Sequence, residues 1–197
     1  MPKIVDAEAR RREIIDATAR LIARAGLDAV TMRDVAAEAG WTTGVVTHYF
    51  TDKRELLLET YTASLAGRVA RRLADDEPPL ARLRGSLEGA LPLDDDRRLH
   101  WLVTLACVTQ ASGDPALADT QQRSYGEFRA FVAELIDAAD LAVTQTSATL
   151  AESLISLSNG IAIQALLAPD LWPPTRQVDT LDRLLGDVCP PLAGSQS

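Results

Sequence analysis

The chain has 197 residues, 47% hydrophobic and 24% charged, with a net charge of −8; that is ordinary for a globular protein large enough to bury one core or two small ones. No unbroken apolar run approaches the roughly 18 residues of a membrane span, and the charged N-terminus lacks the basic-then-apolar order of a signal peptide. Cys107 and Cys189 are too few for a disulfide framework, so the expectation is a cytoplasmic protein with no membrane partner.

The acidity argues against nucleic acid, whose affinity comes largely from Lys and Arg neutralising phosphates. Its distribution changes that reading. Residues 1–54 carry nine Lys/Arg against eight Asp/Glu, whereas residues 55–197 carry eleven against twenty. The first segment is near neutral and permits DNA binding without demanding it.

Helix signals dominate. A first helix is expected over about residues 6–25, where Ile14, Ile15, Thr18, Leu21 and Ile22 form a stripe at three-and-four spacing before Gly26 stops it. A second starts at Thr31, a cap residue with Asp34 three positions on, and ends at Gly40. A short third helix covers about 43–50 behind Thr42, with Val46 and Phe50 pointing inward. A fourth begins after Asp52, with Glu55 three residues on, and runs towards Leu73 until the Asp75–Pro79 stretch breaks it. Further helices are expected near 79–91, 94–112, 115–139, 145–168 and 174–188, with a frayed tail from Pro190. The fold class is therefore all-α, with about nine helices. Residues 1–52 would form a helix-turn-helix domain, 53–190 a helical sensing and dimerisation domain, and 191–197 a tail.

Residues 31–50 have the economy of a helix-turn-helix: a capped helix, a glycine able to reverse the chain, a three-residue turn and a short helix. Away from Val46 and Phe50, that last helix offers Thr43, Gly44, Thr47 and His48, short or polar side chains that let it approach base edges. His48, Tyr49 and Lys53 suit flanking phosphates, as do Thr31 and Arg33 from the preceding helix. The Arg10–Arg11–Arg12 triplet reads first as the solvated face of helix one, beside Glu8 and Glu13; a patch reaching DNA is the other reading.

The run AGWTTGVVTHYFTDKRELL, with TMRDVAAEAG before it, resembles the signature of the TetR family of regulators over roughly residues 10–60. The resemblance implies that Thr42, Thr43, Val45 and Thr47 face bases or nearby sugars. It also implies that Tyr49 and Lys53 clamp phosphates, with Thr31 and Arg33 across the groove. This sequence departs from the family at Trp41, where a smaller aliphatic residue is usual, and at Thr47, where an aromatic is common. The stretch SNGIAIQALLAPDLWPPTRQVDTLDRLL is more weakly similar to the C-terminal part of the family's choline-responsive subgroup.

In the helical body the 94–112 segment is apolar on most sides and is expected to be buried all round. Trp101, Thr104 and Val108 on it, with Tyr125, Phe128 and Ile161, are candidate contacts for a small, largely apolar effector. Each could equally be filling the core. Small residues on the 145–168 helix, and the leucines of 174–188, suggest a four-helix bundle with a second copy. A homodimer matches a palindromic site on double-stranded operator DNA.

Enzyme readings fail on spacing. His48 and His100 have no ligand partners at metal spacing, and no phosphate loop or nucleophile elbow occurs, so no cofactor, metal or catalytic residue is expected. The function read from sequence is a ligand-responsive repressor released from its operator. The alternative is a helical ligand-binding or scaffold protein with a vestigial helix-turn-helix.

Overall fold

The computed structural model describes residues 3–69, 77–111, 113–141 and 144–188. Among them are nine helices: α1 (Lys3–Ala25), α2 (Met32–Ala39), α3 (Thr43–Tyr49), α4 (Lys53–Val69), α5 (Pro79–Gly89), α6 (Asp95–Ala111), α7 (Pro115–Ala138), α8 (Ser147–Leu167) and α9 (Pro174–Val188). The boundaries follow the breakers read in the sequence, and Asp140 takes a left-handed φ of 47° after α7. The expected continuation of α4 to Leu73, its breaker up to residue 76 and the tail from Pro190 fall outside the described residues.

The described residues pack as two compact units, those within Met1–Gly67 and Leu99–Gln121, and those within Arg68–Arg98 and Gln122–Ser197. In the first, Ile14, Ile22, Val35, Val46, Phe50, Leu56 and Tyr61 meet Val103, Cys107 and Leu117 in one apolar core. Each fully buried large aliphatic or aromatic side chain there contributes about 1.5–3 kcal/mol relative to exposure. Burial pushes the Cys107 thiol up to about 12, which makes it a space-filling group and not a reactive one.

The second unit centres on Leu83, Leu87, Val132, Ile136, Leu150, Leu154 and Leu181, drawn from α5, α7, α8 and α9. Arg84 reaches from α5 to both carboxylate oxygens of Asp182 on α9, at 2.6 and 2.9 Å. Helix α8 is long and apolar enough by length and hydropathy to cross a membrane, but half of that stretch is buried inside the protein. Leu150, Leu154, Ile155, Ile161 and Ala165 line that inner side.

Helix α6 departs from expectation. Trp101, Val103, Thr104 and Cys107 are buried, but Val108 is 40% exposed and Thr109 and Gln110 lie in the open. Its last turn presents an outer face, so the helix is not buried all round.

Candidate nucleic-acid interface

Thr31 caps α2 by accepting the Asp34 N–H at 3.2 Å. Gly40 closes the helix in the left-handed region (φ 73°, ψ 23°). There the Gly40 N–H reaches the Ala37 carbonyl at 3.3 Å and the Trp41 N–H reaches Ala36 at 2.8 Å. That double bond pattern satisfies the last carbonyls of α2 and turns the chain sharply. Thr42 then caps α3, accepting the Val45 N–H at 3.4 Å. Val46 and Phe50 are fully buried and fix the inner side of α3. Thr43, Gly44, Thr47 and His48 are exposed on its other sides, with Val45 half-buried between. No acidic residue lies between Thr42 and Phe50, so nothing on this face repels a phosphate.

The hydroxyls differ in what they can offer. Thr43 makes no side-chain hydrogen bond among the described residues and can donate or accept. Thr47 shares its proton between the Thr43 and Gly44 carbonyls, at 3.1 and 3.2 Å, leaving lone pairs and a methyl to meet a base. Thr31 donates its proton to Asp34, which places a carboxylate beside it. Arg33 is exposed and makes no ion pair among the described residues. His48 stands edge-on to Tyr49, with ring centroids 5.2 Å apart.

Lys53 opens α4 behind a third cap, in which Asp52 accepts the Glu55 N–H at 2.8 Å and Glu55 accepts the Thr51 N–H at 2.6 Å. Its ammonium donates to the Leu27 carbonyl at 3.2 Å. This uses one of its three protons and holds the charge at a helix N-terminus, where anions are favoured.

Arg11 has a fixed place beside α3 that its sequence context did not reveal. Its side chain is 34% exposed, about half as much as that of Arg12 at 72%. Its guanidinium donates to the Tyr49 carbonyl at 2.8 Å, pairs bidentately with Glu59, and stacks 4.6 Å from the Phe50 ring centroid. It therefore ties α1 and α4 to the C-terminal end of α3 and sets how that helix projects. Glu55 and Glu59, four apart on α4, give that helix an acidic face, but nothing in the sequence says which arginine it holds.

Arg10 lies over the Trp41 ring at 5.4 Å, so the unusual tryptophan in the turn is packed beneath a cation. Its indole N–H is buried with no acceptor among the described residues. On the far side, hydrogen bonds from Arg24 and then Arg20, at 3.0 and 3.3 Å, lower the Glu38 pKa and brace α1 against α2.

The effector candidates are divided between the two units. Trp101 and Thr104 belong to the first and are buried, the Thr104 hydroxyl donating to the His100 carbonyl at 2.9 Å, while Val108 is 40% exposed. Tyr125 and Phe128 are half-buried against the core of the second unit, which also contains Ile161.

A capped helix, a left-handed turn and a shallow exposed second helix define a helix-turn-helix DNA-binding protein. Residues 14–60 match the description "Bacterial regulatory proteins, tetR family", and residues 79–190 match "BetI-type transcriptional repressor, C-terminal". The chain belongs to the TetR family of transcriptional regulators, with a BetI-type C-terminal region. The regulator BetI of Burkholderia cenocepacia is 34% identical over 176 residues, covering 85% of this chain and 88% of that one. BetI of Burkholderia mallei is 38% identical over 62% of this chain and 65% of its own. A transcriptional regulator from Rhodococcus has the same fold, with a TM-score of 0.82 at 24% identity over 90% of this chain and 95% of that one. A putative regulator from Saccharomonospora viridis, solved with choline, reaches 0.80 at 25% identity, covering 90% and 96%. These relatives are regulators, not enzymes.

Proposed function

We propose that the protein is a dimeric, cytoplasmic repressor that inserts α3 into the major groove of each half of a palindromic operator and leaves it when a small molecule binds. The observation that carries this reading is the exposed, acid-free face of α3 on a helix whose other side is locked into the core. Thr42, Thr43, Val45 and Thr47 are the proposed base and sugar contacts. His48, Tyr49 and Lys53, with Arg33 and the capping region at Thr31 opposite, are the proposed phosphate contacts. In this division of labour residues 1–52 read DNA and 53–190 sense and dimerise.

Helix α8 supports the dimer. Ser153, Ser156, Leu157, Gly160, Ile163, Gln164 and Leu167 recur at helical spacing and are all exposed, with Leu167 at 76%. Such a mixed small and apolar stripe suits a second copy, with α9 completing a four-helix bundle. Trp101, Thr104, Val108, Tyr125, Phe128 and Ile161 are proposed effector contacts, to be tested individually. The choline bound by the S. viridis protein makes a quaternary ammonium the first ligand to try, since aromatic side chains attract such cations.

Anisotropy titration of a mixed-sequence duplex across a salt series tests the DNA reading. Lys53→Ala should weaken binding on every sequence and make the salt slope shallower by about one per subunit, about two for the dimer. Equal slopes for the wild type and Lys53→Ala would refute the phosphate role. Sedimentation of the wild type and Gly160→Arg tests the dimer, which the arginine should dissociate.

A further inference from the structure

A cavity of about 280 Å³ lies within the first unit, at the base of the reading head. Leu27, Leu57, Leu58 and Leu117 make its walls, drawn from the α1–α2 loop, α4 and α7. Lys53, Arg54 and Asp114 also line it, and the lining therefore carries one net positive charge. Asp114 is already committed: Arg54 holds both its oxygens, at 2.9 and 2.8 Å. Lys53 is not. Among the described residues it has no carboxylate partner, and two of its three N–H donors are unused. The Leu27 carbonyl also accepts the Val30 N–H at 3.3 Å, so Lys53 can leave it without stranding a buried acceptor.

We infer that this cavity is a second ligand site, which takes a small amphiphilic monocarboxylate. The apolar body lies against the four leucines, and the carboxylate accepts from the Lys53 ammonium and the unused Nη1 of Arg54. Apolar walls with a few convergent polar groups are the usual makeup of a ligand site, and this one is small even on that scale. An ammonium paired with such a carboxylate is withdrawn from an operator phosphate. The ligand then opposes DNA by direct competition for one side chain, independently of any effector bound in the body. The inference rests on Lys53 being a phosphate contact, as proposed above.

The test uses sodium hexanoate as probe and 1-hexanol as its uncharged counterpart, at constant ionic strength. Calorimetry should show one hexanoate bound per chain and weaker binding of hexanol. Binding of hexanoate should weaken at least about tenfold in Lys53→Gln, the order expected for losing a hydrogen bond to a charged group. In anisotropy with a mixed-sequence duplex, hexanoate at ten times its Kd should raise the apparent DNA Kd by up to about elevenfold for each Lys53 that the duplex engages, two in the dimer proposed above. Ala116→Leu extends a methyl-rich side chain into the cavity from α7; it should bind the duplex as the wild type does yet lose the hexanoate effect. No hexanoate binding, an equal effect of hexanol, or a full effect in Ala116→Leu would overturn the site. Failure of the DNA-binding reading shows separately, as no duplex binding in buffer alone. Failure of this inference shows as normal duplex binding that hexanoate leaves unchanged.

Discussion

Two glycines four residues apart should respond to alanine with opposite signs. Gly40 has φ of +73° and open space around a Cβ, with nothing within 4 Å. An alanine there meets no steric clash but must hold the left-handed conformation, at about 1–2 kcal/mol. For a chain of this size that lowers Tm by roughly 2–8 °C. Gly44 lies in α3, where an added Cβ would meet only the Thr42 hydroxyl oxygen at 3.9 Å, an ordinary contact. Alanine there stiffens the helix and stabilises by about 0.5–1 kcal/mol, or roughly 1–4 °C. Yet the new methyl stands on the face proposed to meet bases, so DNA affinity should fall by about 1–3 kcal/mol, the scale of one good base contact. Differential scanning calorimetry and anisotropy titration of the two variants separate the effects. Gly44→Ala with raised Tm and unchanged affinity would refute the placement of α3 against DNA. Gly40→Ala with raised Tm would refute the turn geometry.

Arg11→Ala should weaken DNA binding while leaving the salt slope unchanged, because Arg11 positions α3 without being placed on a phosphate; a shallower slope would make it a direct contact. Phe50→Ala should cost about 3–5 kcal/mol in urea unfolding, since its ring is fully buried, and Phe50→Leu should restore most of it. The Arg54 guanidinium holds the Asp114 carboxyl down at about 2. The pair's contribution is complete above the usual aspartate pKa of about 3.9 and is lost as pH falls from there through about 2. Asp114→Asn should therefore flatten the acid limb of the stability profile over that window. Thr43→Ala should change base preference at one position of each half-site and leave the salt slope alone.

Local signals carried most of the fold. Thr31, Thr42 and Asp52 are caps that act within three residues, and Gly26 and Gly40 are stops whose positive φ only glycine adopts readily, so all were readable from neighbours in sequence. What was not readable depends on distant pairs. Arg11 and Glu59 are 48 positions apart, and nothing local distinguishes Arg11 from Arg12, which among the described residues makes only an exposed pair with Glu8 at 3.7 Å. Composition also misjudged α6: its apolar residues occupy every side, but Val108 in its last turns is left facing outward. The proposed contacts were legible as types and not as states, since the Thr47 hydroxyl is already engaged within α3 and the Thr31 hydroxyl at the cap of α2. The cavity beside Lys53 had no sequence signal, because its walls come from residues 27 to 117.

Selection of bound duplexes from a random pool, at fixed salt, tests the central claim most directly. The account predicts a two-fold symmetric consensus whose half-sites lie about one helical turn, or a multiple of it, apart. Enrichment of no sequence, or of a single asymmetric site, would contradict it.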